Sequence, residues 1–211
     1  MTYRAVIFDL GGVVLESPLH EIARFEDDQG LPDGCINQVV VATGPTGAWA
    51  RLERGELPLG TFYEAFRQDC EAHGFAVDAR GLMQRIGRAA QPRAAMLAAI
   101  AILREQGLRV AALTNTWVGE DGTAVGAPLE PHFDLVVESS AVGLHKPDPR
   151  IYNLACERLG ITPPEAVFLD DIGRNLKTAR ELGMRTIRVT DPDLALAELE
   201  ELIGFRLRDR S

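Results

Sequence analysis

The chain has 211 residues, 46% of them hydrophobic and 25% charged, which is typical of a globular protein with one sizeable core or a core with an insertion. Its formal net charge of −9 disfavours nucleic acid and anionic membranes as partners. Three widely spaced cysteines (Cys35, Cys70 and Cys156) lack metal-binding spacing, which favours free thiols in a reducing compartment. The N-terminal apolar run is too short for a signal peptide and no stretch reaches transmembrane length, so we expect a cytoplasmic protein without membrane insertion.

The first predicted element is a buried strand, Ala5–Phe8, which is followed directly by Asp9 and by the pair Gly11 and Gly12. Ligands of open α/β sheets bind at the ends of strands. The two glycines allow a tight turn that brings backbone amides near an anion. A carboxylate at this position can act as a nucleophile or a metal ligand. Taken alone, the segment is equally well explained as a strand-terminating turn.

Residues 16–91 show helical periodicity without β-branched runs. Helices are predicted at 20–29, 36–42, 59–72 and 78–88, with loops rich in glycine and proline between them. We expect these residues to form a small helical cap domain inserted after the first strand. The core domain would then consist of residues 1–15 and 92–211.

From residue 93 onward, predicted helices alternate with short apolar strands, as in βαβ units. The helices are predicted at 94–106, 148–159, 174–182 and 194–203, and the strands at 108–113, 133–137, 166–169 and 186–189. This alternation predicts an α/β fold, a Rossmann-like doubly wound parallel sheet that carries the helical cap domain.

Polar residues stand at three predicted strand ends and before one predicted helix: Asp9, Thr114, Asn115, Asp170, Asp171 and Lys146. Parallel strands end at one edge of a sheet, so these side chains should meet in one cleft. Three carboxylates so close together repel one another and require a cation. An all-oxygen site with room for water and phosphate suits Mg²⁺. Each pair alone is also compatible with a turn or a helix cap, and the shared edge is what favours a site.

These residues lie in four segments that resemble, in order, the four motifs of the haloacid dehalogenase (HAD) superfamily. The segments are residues 8–13 (FDLGGV), 113–115 (LTN), 146–152 (KPDPRIY) and 168–171 (FLDD). The resemblance covers essentially the whole chain. It is greatest to the N-terminal phosphatase domain of soluble epoxide hydrolase and its stand-alone bacterial relatives, especially over residues 168–184.

The resemblance implies a hydrolase, most often a phosphatase that cleaves a small or lipid-like phosphomonoester through an aspartyl-phosphate. By this resemblance Asp9 would be the nucleophile, and a homodimer would be consistent with the family. Three further roles are implied: phosphoryl binding by Thr114, Asn115 and Lys146; Mg²⁺ binding by Asp9, the Gly11 carbonyl and Asp171, with Asp170 in support; and ordering of the site by Gly12 and Asn175.

Gly11 is a departure from the family pattern, since phosphatases of the superfamily normally carry a second aspartate there as general acid and base. Such a group contributes about 10²–10⁴ in rate. Glu16, His20 and Glu21 are candidate replacements, although each is more simply interpreted as a solvated helix residue. The alternative functions are a metal-binding regulatory module with weak or no turnover and, less favoured, a dehalogenase, for which the pair Asp170 and Asp171 would be pure repulsion.

Four aromatic residues are candidates for a pocket that holds the organic part of the substrate: Trp49, Phe62, Phe66 and Trp117. The spacing of Phe62 and Phe66 is also that of residues on the buried face of a helix, which is the more frequent case.

Overall fold

The described residues, 3–124 and 126–207 of a computed structural model, contain one sheet of five parallel strands in the order β3-β2-β1-β4-β5. The strands are β1 (Ala5–Phe8), β2 (Arg109–Thr114), β3 (Leu135–Glu138), β4 (Ala166–Asp170) and β5 (Arg185–Arg188). β1 lies at the centre and the chain winds outward on both sides of it, so the predicted doubly wound α/β fold is confirmed.

Ten α-helices surround or extend this sheet in the described residues. Five follow β1 before the chain returns to the sheet at residue 93: α1 (Pro18–Asp28), α2 (Cys35–Thr43), α3 (Ala48–Glu53), α4 (Leu59–Ala72) and α5 (Ala79–Ala89). The others are α6 (Ala94–Glu105), α7 (Ser139–Val142), α8 (Pro149–Leu159), α9 (Gly173–Glu181) and α10 (Pro192–Ile203). No described helix combines the length and the apolar character that a membrane crossing requires.

Alternate residues of the strands point to opposite faces of the sheet, and helices cover both faces. Val6 and Phe8 pack in one core with residues of α6 and α10, whereas Ala5 and Ile7 pack in a second core with residues of α8 and α9. All four β1 residues are fully buried. Burial on both faces explains why the strands are continuous apolar runs rather than alternating patterns.

Helices α1 to α5, which we call the helical lobe, have a hydrophobic core of their own. Phe62 and Phe66 are fully buried in this core, and their rings stack with centroids 5.2 Å apart. Trp49 packs edge-on against both rings, at 5.8 and 5.3 Å. The two phenylalanines are therefore core residues, which is the interpretation that their spacing favours.

Two linkers side by side join the helical lobe to the sheet. The Glu16 N–H donates to the Gln91 carbonyl at 3.0 Å, and the Arg93 N–H donates to the Val14 carbonyl at 2.8 Å. The Arg93 guanidinium also donates to the Gly12 carbonyl at 2.9 Å, so the loop after β1 is tied to the returning linker. This pairing fixes where the helical lobe leaves and re-enters the sheet.

The structure contains two short helices that the sequence does not predict, α3 and α7, of six and four residues. Neither is long enough to show a helical period. Thr114 and Asp170 are the last residues of β2 and β4 rather than the first residues after them. The three cysteines are buried free thiols, as predicted.

Candidate active site

Lys146 lies between two carboxylates at the carboxyl edge of the sheet. Its Nζ is 2.8 Å from Asp9 Oδ1 and 2.7 Å from Asp170 Oδ2. Only 1% of Lys146 is exposed, and such burial is tolerated because the ammonium has two charged partners. Burial alone lowers the pKa of a lysine, but the charges of Asp170 and Asp9 outweigh it and raise the pKa of Lys146.

Asp171 brings a third carboxylate to this edge. One oxygen from each of Asp9, Asp170 and Asp171 lies within 4.8 Å of the others. Burial and the neighbouring charge of Asp170 raise the pKa of Asp171 to about 6. Burial, opposed by Lys146, raises the pKa of Asp9 to about 7. The cluster thus contains three carboxyl groups and one ammonium group, so ionisation of all three acids would leave excess negative charge in a largely buried site.

Asp170 is the best satisfied of the three acids. Asn175 Nδ2 donates to both of its oxygens at 3.1 Å, the Ile172 N–H donates to Oδ1 at 2.8 Å, and Lys146 occupies Oδ2. Asp171 Oδ1, in contrast, is buried without a hydrogen-bond partner in the described structure. The free acceptor on Asp171 and the saturated Asp170 fit a hard cation bound by Asp9 and Asp171.

The two glycines after Asp9 meet different requirements. Gly12 has φ +80°, and a Cβ atom there would lie 2.2 Å from Asp171 Oδ2, so only glycine lets the two loops approach this closely. Gly11 does not have a positive φ, and its Cβ would lie 3.4 Å from Pro18 Cδ, an ordinary contact. The backbone therefore requires glycine at position 12 but not at position 11.

Asn115 connects the end of β2 to the backbone of Lys146. Its Oδ1 accepts the Lys146 N–H at 2.8 Å, and its Nδ2 donates to the Lys146 carbonyl at 3.0 Å. The Asn115 side chain thus supports the lysine. Thr114 is buried beside it, with its hydroxyl 3.4 Å from the Asn115 carbonyl.

Glu53 of α3 is a site residue that the sequence does not predict. Its Oε2 accepts Asn115 Nδ2 at 3.1 Å and lies 3.2 Å from His145 Nδ1, and its Oε1 accepts Trp49 Nε1 at 3.1 Å. The spacing of Trp49 and Glu53 is compatible with a pair on one helix face, but α3 is too short for the sequence to reveal it. Only tertiary folding brings Glu53 to the sheet edge.

A cavity of about 160 Å³ lies between the sheet edge and the helical lobe. Its polar lining includes Asp9, Glu53, Lys146 and Asp171. Its apolar lining comes mainly from the lobe: Pro18, Leu19, Ile22, Ile36, Val40, Trp49 and Ile86, with Trp117 from the loop after β2. Trp49 and Trp117, unlike Phe62 and Phe66, are thus pocket residues. A larger cavity of about 470 Å³, lined by residues such as Arg4 and Leu108, includes none of the clustered acids.

The candidate replacements for the acid missing at position 11 do not line this cavity. Glu16 is exposed and pairs with Arg93 at 3.2 Å. Glu21 pairs with Arg24 at 2.7 Å, and His20 is exposed. None of the three lines the 160 Å³ cavity, although Glu16 lines an adjoining cavity of about 70 Å³ together with Gly11, Thr114 and Asn115. Exposure agrees with the solvated interpretation for Glu16 and His20, whereas the Glu21 side chain is 16% exposed.

Comparison with protein families identifies the family to which the fold that carries this site belongs. The family model described as haloacid dehalogenase-like hydrolase matches residues 3–183. The chain belongs to this family. The match includes the three acids and Lys146, and the predicted resemblance to HAD hydrolases is confirmed.

Three curated proteins are similar in sequence to this HAD-like hydrolase. Acyl-CoA dehydrogenase family member 10 of Mus musculus is 39% identical over 98% of this chain and 20% of its own length. Bifunctional epoxide hydrolase 2 of Sus scrofa is 37% identical over 98% of this chain and 40% of its own length. The chain thus spans a fifth to two fifths of these proteins. Phosphoserine phosphatase of Thermus thermophilus is 34% identical over 73% of this chain and 71% of its own length.

Solved structures share the fold of this HAD-like hydrolase. A HAD-like hydrolase from Porphyromonas gingivalis superposes with a TM-score of 0.69 at 23% identity, with 100% of both chains covered. A HAD family enzyme from Bacteroides thetaiotaomicron, solved with magnesium and inorganic phosphate, has a TM-score of 0.59 at 22% identity over 88% of this chain and 93% of its own. An L-2-haloacid dehalogenase from Xanthobacter autotrophicus has a TM-score of 0.60 at 24% identity over 100% of this chain and 91% of its own. At these identities the likeness shows the fold alone.

Proposed function

We propose that the protein is a Mg²⁺-dependent phosphatase that hydrolyses a small or lipid-like phosphomonoester through an aspartyl-phosphate on Asp9. The observation that carries this proposal is the pairing of Asp9 with buried Lys146 beside an unsatisfied Asp171, beneath a largely apolar cavity. The phosphatase among the relatives adds support. In this proposal the helical lobe acts as a cap domain formed by residues 16–91.

Magnesium is the cation that this donor set suits best, because all the available ligands are oxygens and few are supplied by protein. Asp9, Asp171 and the Gly11 carbonyl would hold the ion, and Asp170 would support the site through Lys146 and Asn175. When bound, the ion would neutralise charge on the phosphoryl group and relieve the repulsion among the acids. Gly12 would keep Asp171 close enough to take part.

In the proposed first step, an Asp9 oxygen attacks phosphorus and the phosphorus–oxygen bond to the organic group breaks. The bonding electron pair leaves with the organic oxygen. Water then attacks phosphorus, the bond to Asp9 breaks, and the carboxylate is restored with release of inorganic phosphate. One proton of the water stays on the phosphate, and the other passes to solvent, from which the organic oxygen takes up a proton. Lys146, at 2.8 Å from Asp9, offsets the charge on the phosphoryl oxygens, which the Thr114 hydroxyl and the Asn115 N–H would hold.

Two other functions fit part of the site. A regulatory or binding module is favoured by Gly11, because the catalytic acid is absent and none of its three candidate replacements lines the cavity that contains Asp9. A dehalogenase also lacks that acid, and the fold is shared with one. The unpartnered Asp171 favours a cation-dependent reaction over the dehalogenase.

Hydrolysis of p-nitrophenyl phosphate with Mg²⁺ and with EDTA tests the proposal. The p-nitrophenolate group leaves without protonation, so the assay reports on the nucleophile and the metal alone. Wild type should be active only with Mg²⁺, and Asp9→Asn, which keeps the shape of the side chain, should be inactive. An inactive wild type would favour the binding module, and metal-independent halide release from 2-chloropropionate would favour the dehalogenase.

A further inference from the structure

Glu53 occupies the boundary between two cavities. It lines the 160 Å³ cavity that contains Asp9, and it also lines an outer cavity of about 260 Å³ together with His145 and Arg174. Its side chain is 16% exposed. Among the described residues, Asp9, Asp171 and Glu53 are the acids that line the inner cavity, and the proposed mechanism uses only the first two.

The contacts of Glu53 join the helical lobe to two core segments next to Lys146, the end of β2 and the loop before α8. Glu53 accepts a hydrogen bond from Asn115, whose side chain binds both the N–H and the carbonyl of Lys146. Glu53 also contacts His145, which directly precedes Lys146 in the chain. Lys146 in turn holds Asp9. A continuous series of polar contacts thus runs from the lobe through Asn115 and Lys146 to the nucleophile.

A second contact seats the same part of the lobe on the core. Gly55, two residues after Glu53, has φ +70°, and a Cβ atom there would lie 2.4 Å from the Ser140 carbonyl oxygen. Helix α3 accordingly packs against α7. Glu53 is therefore anchored from both sides, by Trp49 within the lobe and by a close backbone approach of the lobe to the core.

We propose that Glu53 is a positioning residue, which seats the helical lobe on the core and sets the placement of Asn115 and Lys146 for phosphoryl transfer. Both of its oxygens accept N–H groups, an arrangement suited to holding other groups rather than delivering a proton. The kinetic part of this inference rests on the proposed phosphatase activity. Misplacement of catalytic groups by a fraction of an ångström to 1 Å costs up to about 10² in rate.

Kinetic assays of Glu53→Ala and Glu53→Gln test this role against that of a general acid. The substrates are p-nitrophenyl phosphate and phenyl phosphate, whose leaving groups differ in their need for a proton. Glu53→Ala should lower kcat/KM about 10- to 100-fold, equally for both substrates, and Glu53→Gln should recover part of the loss because it keeps the length and one acceptor oxygen. A loss that is larger for phenyl phosphate, without recovery in Glu53→Gln, would identify Glu53 as the acid and overturn the proposal.

Glu56→Ala is the matched control. Glu56 lies three residues away, is exposed and pairs with Arg54 at 2.6 Å, and it lines neither of the two cavities. We expect this variant to keep wild-type kinetics. If Glu53→Ala fails to fold, Glu53→Gln decides alone: an equal loss for both substrates supports the proposal, and wild-type kinetics contradict it.

Tryptophan fluorescence tests the seating of the lobe without any activity. The chain has two tryptophans, and both line the inner cavity. Trp117 belongs to the core and packs against the lobe, so loosening of the lobe exposes it. Glu53→Ala should increase acrylamide quenching of the tryptophan emission in the folded protein, and Glu56→Ala should not. Unchanged quenching would overturn the seating role even if the phosphatase assignment holds, and increased quenching would support it even if that assignment fails.

Discussion

Gly11 lies against Pro18, the first residue of α1: a Cβ atom built on Gly11 would be 3.4 Å from Pro18 Cδ. The position where related phosphatases carry their general acid thus faces the helical lobe and has no backbone need for glycine. A Cβ atom would make only ordinary contacts there, yet the residue is a glycine. The leaving group of the substrate therefore has no acid at this position to protonate it.

Without an acid at position 11, kcat/KM should depend steeply on the acidity of the leaving group. Aryl phosphates should react far faster than alkyl phosphates such as glycerol phosphate, because an alkoxide leaves poorly without a proton. Gly11→Asp should raise kcat/KM for the alkyl substrate about 10- to 100-fold while changing the aryl value little. A flat dependence in the wild type would mean that another group supplies the proton.

Gly11 and Gly12 form a matched pair for a second prediction. Gly12→Ala places a methyl group 2.2 Å from Asp171 Oδ2 at a φ of +80°, so it should displace Asp171 and weaken Mg²⁺ binding about tenfold or more. Gly11→Ala should bind Mg²⁺ as the wild type does. Calorimetric titration of both variants measures this, and equal affinities would contradict the role assigned to Asp171.

A third prediction concerns the charge of Asp171 in metal-free protein. Folding raises the pKa of Asp171 from 3.8 to about 6. The free energy of unfolding therefore decreases as the pH rises through this interval, because the carboxyl group ionises less readily in the folded state than in the unfolded state. Asp171→Asn should therefore stabilise the EDTA-treated protein by about 1–3 kcal/mol at pH 7 and by little at pH 4. Thermal unfolding at the two pH values provides the measurement. Mg²⁺ should raise the Tm of wild type and leave that of the variant unchanged.

Lys146 supports a fourth prediction. Lys146→Met leaves the buried carboxylates of Asp9 and Asp170 without their cation and should cost about 3–5 kcal/mol of unfolding free energy. Asp170→Asn in the same chain should restore part of that loss, because it removes one of the two orphaned charges. Denaturant unfolding of the single and double variants measures the coupling. Additive losses would show that the two residues act independently.

The strand ends explain why much of the site is predictable from the sequence. Asp9, Asp170 and Asp171 follow or end short apolar strands, and a parallel sheet brings such positions to one edge. Lys146 precedes a recognisable helix, α8. The chemistry of this edge thus follows from local patterns and one topological rule.

Contacts between the helical lobe and the sheet are not predictable in this way. Glu53 lies on a six-residue helix, and its partners Asn115 and His145 are 62 and 92 residues away in the chain. Helical spacing also does not distinguish residues that line the cavity from residues of the hydrophobic core. Phe62 and Phe66 lie on one helix face, which packs into the core of the lobe, whereas Trp49 lines the cavity. Such contacts depend on how α3 packs on α7, and packing of this kind leaves no periodic signal.

Phosphorylation of Asp9 during turnover is the step on which the proposed mechanism depends, and intact-protein mass spectrometry can detect it. Wild-type protein is mixed with excess p-nitrophenyl phosphate and Mg²⁺ and quenched in acid within milliseconds to seconds. Because Gly11 has no side chain to activate water, the intermediate should accumulate as a mass gain of about 80 Da on the intact protein, and peptic digestion of the quenched sample should locate it on the peptide that contains Asp9. Asp9→Asn should show none. Steady hydrolysis without any adduct, or an adduct on another residue, would contradict the role of Asp9 as nucleophile.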